Sequence, residues 1–291
     1  MLRHEFNLYA TLLDSYRNMI GSSEVWQTYW GFSENPPHTE EQFHWLQVEQ
    51  FIDGINRVDG VPSEAASRGT AFNELVDAFV EWRAPKMQTT TNKDEQGRAL
   101  SVTAELDGFT FTFPLDLLKD YGKRYDKAVC QYLTKGTMQT KHGIVQLYGY
   151  IDELLPDKIV DIKTTSRYEF PKFANNAQHL VYPYCLRQEG MQLDIFDYDV
   201  VVFSKYGAIE QYTERYIWND DNERVLRERV EDLCDWLIQN ATLVQNPSIF
   251  CGRRADDYVG IPVAEIDPDT VSPQCREIIE KINQTHLELG Q

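Results

Sequence analysis

Two aspartates and a lysine stand close enough in this chain to do chemistry together: Asp152, Asp161 and Lys163. Asp152 closes the run Gly149-Tyr-Ile-Asp152, and Asp161-Ile-Lys163 follows nine residues later. Between them, Leu155-Pro156-Asp157-Lys158 reads as a tight turn, and both flanks have the β-branched and aromatic content of strands. A loop of two or four residues centred on Pro156-Asp157 pairs residue 154 with 159, 153 with 160 and 152 with 161. Asp152 and Asp161 then become cross-strand neighbours, with Cβ atoms roughly 5 Å apart on one face. Alternation keeps Lys163 on that face and turns Ile151 and Ile162 to the other. Opposed carboxylates repel, so the arrangement calls for a cation. A hard divalent ion such as Mg2+ suits paired Asp oxygens, and the lysine beside them suits a phosphate. Taken alone, Asp-Ile-Lys also fits the solvated face of an amphipathic strand.

These residues must be positioned by neighbouring elements. Residues 1–60 read as a helical region rich in aromatics, interrupted at Asn35-Pro36-Pro37, with a helix start at Thr39-Glu40-Glu41. Residues 62–82 form an amphipathic helix with Phe72, Leu75, Val76, Phe79 and Val80 on its apolar side. Residues 85–98 read as a mobile loop, and Ala99 to Phe113 as a hairpin around Asp107-Gly108. A helix over 114–127 is opened by Pro114, and a strand from Val129 to Thr140 feeds the Asp152 strand through Lys141-His142-Gly143. A helix over 168–188 carries Gln178 and Tyr182 at i and i+4, on one side, and ends at Gly190. Strands at 197–204 and 209–218 and a long helix over 219–244 follow. The segment 245–291 reads as an irregular cap ending in a short helix.

Composition sets limits on function. At 291 residues and 42% hydrophobic content the chain can bury a sizeable core. Its start lacks the apolar run of a secretory leader, and no stretch approaches the roughly 20 apolar residues of a membrane span, so a cytoplasmic protein without a membrane partner is expected. The cysteines at 130, 185, 234, 251 and 275 are scattered and odd in number, as in a reducing compartment. The net charge of −18 opposes a polyanionic partner. The distribution moderates this, because Lys119, Lys123, Arg124, Lys127, Lys135 and Lys141 cluster before the Asp152 strand against only Asp120 and Asp126. The same segment also fits a helix face that balances acidic neighbours. No G-x-x-x-x-G-K-[ST] motif is present.

Gly149-Tyr-Ile-Asp152, Asp161-Ile-Lys163 and Gln178-His-Leu-Val-Tyr182 stand in the order and spacing of the G-x-x-D, (D/E)-x-K and Q-x-x-x-Y motifs of the PD-(D/E)xK nuclease superfamily. Over residues 64–205 the chain resembles its RecB-like and lambda-exonuclease-like branches. The resemblance implies a restriction-endonuclease-like α/β core, a central mixed β-sheet flanked by helices. Here it would span 61–218, with the helical region 1–60 and a C-terminal extension 219–291 packed on it as one decorated domain. It further implies Mg2+ or Mn2+ held by Asp152, Asp161 and the backbone carbonyl of Ile162. Lys163 would orient or deprotonate water, or stabilise the transition state. Gln178 would hydrogen-bond near the metal or the DNA backbone, and Tyr182 would brace its helix or touch phosphate. The implied partner is DNA and the implied activity that of an exonuclease in DNA processing, recombination or repair.

The stretch Arg68-Gly69-Thr-Ala-Phe-Asn73-Glu74 resembles the family's G-x-x-x-H or G-x-x-x-E helix, with Asn73 where His or Glu stands. Asn binds a metal only through its carbonyl, and Glu74, about 100° further round the helix, is the other candidate. Some RecB-like relatives carry an iron–sulfur cluster on closely spaced C-terminal cysteines. Cys251 and Cys275 do not match that spacing, and no cluster is expected. Two other classes fit part of the pattern. One is a non-catalytic nucleic-acid-binding or structural module with a degenerate site. The other is a sugar hydrolase using the carboxylates as an acid/base pair, which leaves Lys163 without a role.

Overall fold

A computed structural model describes residues 5–58 and 60–250. The expected C-terminal cap beyond residue 250, with Cys251 and Cys275, lies outside the described residues. In chain order the elements are β1 (Phe6–Tyr9), α1 (Ala10–Ile20), α2 (Ser22–Trp30), α3 (Glu40–Asn56), α4 (Glu64–Val80), β2 (Gln88–Lys93), β3 (Ala99–Leu106) and β4 (Phe109–Pro114). They continue with α5 (Leu115–Arg124), β5 (Val129–Thr140), β6 (Gly143–Leu154), β7 (Ile159–Thr165), α6 (Gln178–Gln188), β8 (Ile195–Phe203), β9 (Ile209–Ile217) and α7 (Asp220–Gln239). Local chemistry sets several boundaries. Thr39 and Gln42 close a capping box on α3, and the Ser63 side chain accepts from Ala66 N–H at the start of α4. Asp107 and Gly108 both take positive φ, the geometry of a tight hairpin turn.

The fold is mixed α/β. A six-stranded mixed sheet runs β1-β6-β7-β8-β9, with β5 also on β6, and a separate three-stranded antiparallel sheet holds β2, β3 and β4. β5 occupies one edge of β6 along its whole length. The other edge is therefore shared: β1 pairs in parallel with Val145 to Tyr148, and β7 pairs antiparallel with Glu153 and Leu154 alone. β7 then leaves β6 and runs in parallel beside β8 for its full length. Residues Gly149 to Asp152 consequently face a fork between two ladders.

Apolar side chains fill both sides of the sheet. One cluster joins Leu12, Phe51, Leu147, Ile159, Tyr182, Val200 and Leu233 beneath α1, α3, α6 and α7. The other joins Phe72, Phe113, Tyr121, Val160, Ile162 and Val201 beneath α4 and α5. β7 and β8 alternate cleanly between the two, as strands buried on both faces do. Of the N-terminal aromatics, Tyr16 and Phe51 pack at tilted and edge-on angles against Trp236 of α7, whereas Tyr29, Phe32 and Trp45 are exposed.

Three expectations are corrected. The region 1–60 contributes β1, a four-residue strand whose pairing is entirely long-range. The expected loop 85–98 contains β2, a polar edge strand of the small sheet in which Asn92 bonds Ser101 and Thr103. The helix expected over 168–188 begins only at Gln178. Before it, Glu214 of β9 accepts the backbone N–H groups of Lys172 and Phe173 at 3.0 and 2.9 Å and the Tyr168 hydroxyl at 2.8 Å. A side chain thus supplies acceptors that a helix would have supplied from its backbone.

Helix α6 lies so close to β6 that a Cβ on Gly149 would run into the Tyr182 ring. Gly149→Ala is expected to destabilise the protein by about 1–3 kcal/mol through overpacking. In a Tyr182→Leu background the same change should cost less than half as much, since the two positions share one space. Urea unfolding of the four proteins measures this, and equal losses in both backgrounds would overturn it.

Candidate functional site

The candidate residues meet at the fork. The ladder predicted from the turn holds for 154 with 159 and 153 with 160, and then stops. Asp152 does not face Asp161 as a ladder partner; its Oδ2 instead accepts the backbone N–H of Ile162 at 2.9 Å. A carboxylate has replaced the carbonyl that a continued ladder would have offered. In an extended strand the N–H and C=O of one residue point to the same side, so the Ile162 carbonyl also faces the gap where Asp152 sits. Side-chain phase changes here too. Ile151 joins the α6-side cluster and Ile162 the α4-side cluster, so the expectation that they share a face is corrected. Leu154, three residues after Ile151, lies in the same cluster as Ile151, which strict alternation forbids.

Each candidate has a partner from a different element. Asn73 of α4 donates from Nδ2 to Asp152 Oδ2 at 3.3 Å, and Gln131 of β5 donates to Asp152 Oδ1 at 3.4 Å. Lys163 Nζ lies 2.6 Å from Asp161 Oδ2 and 5.7 Å from the centre of the Tyr198 ring. Gln178 donates to Asp161 Oδ1 and, at 3.3 Å, to the Tyr182 hydroxyl. Glu74 is turned away, held by Arg83 and by the backbone N–H of Lys86. Between the two candidates on α4, Asn73 is the one that reaches the aspartates. Helix α4 can approach because residue 69 is glycine, where a Cβ would come within 3.1 Å of Thr164 Oγ1.

Sequence reasoning missed Asp14, Gln131 and the neighbours of Glu153. Asp14 of α1 accepts the Ala177 N–H at 2.6 Å, capping the start of α6 beside Lys163. Nothing in the pattern of α1 singles it out. Gln131 carries positive φ in mid-strand, which its residue type does not announce. Glu153 does leave a trace, as an acid set between apolar Ile151 and Leu154 beside a candidate ligand. With Asp77 and Cys130 it forms a group whose ligand atoms lie within 4.8 Å of one another and could hold a metal ion.

The electrostatics are those of a site short of positive charge. Asp152 is pushed up to about 7, first by burial and then by the Asp161 charge. Asp14 is pushed up to about 6, first by burial, against the opposing pull of the Ala177 N–H and Lys163. Burial alone would lower Lys163, but Asp161, Asp152 and Asp14 outweigh it and hold the ammonium above its ordinary value. On β8 the buried aspartates are matched: Asp197 by Lys158 and Arg215, and Asp199 by Arg124, Tyr125 and Thr213. At the fork Lys163 serves three carboxylates, helped only at Asp14 by Arg229.

The buried oxygens Asn73 Oδ1 and Gln178 Oε1 have no hydrogen-bond partner. An oxygen-rich donor set with unmatched carboxylate charge and orphaned amide oxygens fits a hard divalent cation. Asn73, Asp152, Asp161 and the Ile162 carbonyl are the groups that could contact it. Six cationic residues before β6 leave open either a basic surface or a helix face that balances acidic neighbours. Two of them are engaged locally: Arg124 pairs with Asp120 and Asp199, and Lys141 with Asp235.

No protein-family model matches the chain, and no curated protein matches it. Solved structures that align with it include the crystal structure of SSO0001, at 11% identity and a TM-score of 0.39 over 82% of this chain and 84% of that one. Another is a protein named "Putative exonuclease" from Eubacterium rectale, at 13% identity and a TM-score of 0.42 over 81% of each chain. At such distance neither bears on the chemistry. No helix among the described residues is long and apolar enough to cross a membrane.

The raised Asp152 carboxyl predicts a pH signature. A folded-state value above the unfolded one contributes stability at low pH that is lost as pH rises through about 7. With metal removed by EDTA, Asp152→Asn keeps the acceptor for Ile162 N–H and removes the charge. Its Tm is expected to exceed that of the unaltered protein by roughly 2–6 °C at pH 8 and to match it near pH 4. An equal difference at both pH values would overturn this assignment.

Proposed function

We propose that the chain is a divalent-metal-dependent DNA nuclease that hydrolyses phosphodiester bonds, acting as an exonuclease in DNA processing, recombination or repair. One observation carries this reading. Two aspartates from diverging strands, a partly exposed lysine and orphaned amide oxygens converge on one gap with more negative charge than the protein neutralises.

Asp152, Asp161, Asn73 Oδ1 and the Ile162 carbonyl would hold Mg2+ or Mn2+. A cation so held supplies positive charge to a phosphate oxygen and lowers the pKa of a bound water. Lys163 enters as an ammonium, because the flanking carboxylates keep its proton on. Its first role is therefore to stabilise negative charge building on the scissile phosphate. Acting as a base would require Asp161's charge to be neutralised first. Gln178 fixes the Asp161 carboxylate through Oδ1, leaving Oδ2 to the lysine. Tyr182 holds Gln178 in place from beneath Gly149.

A route for the nucleic acid is supported by a cleft of about 740 Å3 just past the end of β7, where Arg167, Lys172, Tyr29 and Phe170 stand around Thr165 and Ser166. Exposed aromatic rings beside cations suit bases and phosphates of a strand. One observation favours a second reading, a non-catalytic nucleic-acid-binding module: Asn73 brings no charge to the site, and Lys163 is ion-paired to the aspartate that would hold the metal.

Cleavage of linear and circular, single- and double-stranded DNA with Mg2+ or Mn2+ separates the readings. Lys163→Ala is expected to lose at least on the order of 100-fold in rate, as loss of a transition-state donor does. Its calorimetric Mn2+ affinity should change only a few-fold. Asp161→Ala should lose both cleavage and Mn2+ binding. Equal cleavage by the unaltered chain and Lys163→Ala would remove the reading's central residue. Mn2+ binding without turnover on any substrate would support the module.

A further inference from the structure

One cluster of chemistry-bearing side chains stands apart from the Asp152–Asp161 pair. Cys130 and Glu153 are direct cross-strand partners on β5 and β6. Asp77 descends on them from α4, one turn beyond Asn73 and on the same helix face. Glu153 is fully buried and Asp77 is 3% exposed. Cys130 Sγ donates to Glu153 Oε2 at 3.2 Å, and the Glu153 and Asp77 carboxyls are themselves within hydrogen-bonding contact.

Two of the acidic oxygens, Asp77 Oδ1 and Glu153 Oε1, are buried and receive no hydrogen bond from a fixed donor, and the ligand atoms of the three residues lie within 4.8 Å of one another. Neither residue has an ion pair among the described residues, unlike buried Asp197 and Asp199 in the same sheet. Removing two carboxylates from water without a cation costs several kcal/mol per group. The protein must supply either protons or a metal.

Burial pushes the Asp77 carboxyl up to about 6. Burial, followed by the Glu153 charge, pushes the Cys130 thiol up as well. Both groups are displaced in the direction that a nearby cation reverses.

We propose that Asp77, Cys130 and Glu153 form a second metal site, separate from the Asp152–Asp161 pair, that takes a borderline divalent transition ion such as Zn2+. The thiolate decides the class of ion. Mg2+ takes hard oxygen ligands, whereas sulfur with carboxylate suits Zn2+ and Co2+. Three protein ligands leave a fourth position for water or for a neighbouring carbonyl.

The ion would clamp α4 to the β5–β6 pair. That is the junction that fixes Asn73 against Asp152, one turn back on α4 and one residue back on β6. Gln131, next to Cys130, reaches Asp152 Oδ1 from the same place. Filling the cluster would therefore position the first site without touching substrate.

Co2+ binding to the full chain tests this independently of any nuclease activity. A near-ultraviolet thiolate-to-Co2+ charge-transfer band is expected in the unaltered protein. It should persist in Asp161→Ala, disappear in Cys130→Ser, and resist a large excess of Mg2+. Zn2+ affinity, measured by competition in the Asp161→Ala background, should fall by at least on the order of 100-fold with Cys130→Ser. Outer-shell partners alone are worth 10–100-fold, so a direct ligand is worth no less. Asp77→Asn should weaken the same band, which keeps the test open if the serine variant misfolds by circular dichroism. Absence of the band, or its survival in a folded Cys130→Ser protein, would overturn the proposal. A failure of DNA cleavage with the band intact would count against the nuclease reading alone.

Discussion

The structure around the candidate site depends on where β7 leaves β6. Two pairs after the turn the ladder ends, and the Ile162 N–H, which a continued ladder would have paired with residue 151, is taken by the Asp152 carboxylate. An unpaired buried N–H costs about as much as a lost hydrogen bond. The divergence is tolerable because a side chain fills the vacancy, and it lets β7 run in parallel beside β8. β1 completes the fork by occupying the earlier stretch of the same edge. The helix that follows β1 then brings Asp14 to the start of α6, and α6 brings Gln178 and Tyr182 to Asp161 and Gly149.

Charge is handled differently on the two sides of this sheet. At β8 each buried aspartate has its own donors, two cations for Asp197 and a cation with two hydroxyls for Asp199, so the network is closed and structural. At the fork the carboxylates outnumber Lys163, and the imbalance appears as raised Asp14 and Asp152 carboxyls and as a lysine held in its charged form. A site built this way releases protons or draws cations as the pH rises. That property links metal binding to stability before any substrate is considered.

The local parts of this arrangement were legible in the chain. Pro156-Asp157 fixes the turn, so the register of 153 with 160 follows from it. Asp107-Gly108 fixes the second hairpin, and the apolar period of residues 62–82 fixes α4, while Asn73 stood out only by its place in the motif that the chain resembles. The long-range parts were not legible. β1 is four residues long and has a partner only because β6 leaves half an edge vacant. β2 is polar because it lies at a sheet edge, so it shows no apolar alternation. The loop before α6 is ordered by Glu214, about forty residues downstream. The direct facing of Asp152 and Asp161 also did not follow from the turn. Ideal alternation assumes a continuous ladder, and a side chain that mimics a backbone acceptor breaks it.

Helix α4 gives a physical reason for the asparagine that departs from the nuclease pattern. Gly69, Asn73 and Asp77 recur every four residues and present one stripe to the sheet. The glycine admits Thr164 and the asparagine meets Asp152, while Asp77 meets Glu153 and Cys130. A carboxylate at position 73 would stand 3.3 Å or so from Asp152 and one turn from Asp77. It would join a group in which Asp152, Asp161, Asp77 and Glu153 already lack enough positive charge. An amide at that position keeps an oxygen available to a cation and a donor available to Asp152, and adds no charge to either cluster. The acid absent from residue 73 is thus balanced by the acids one turn below it. The two clusters are best understood as one distribution of negative charge along the inner face of a single helix.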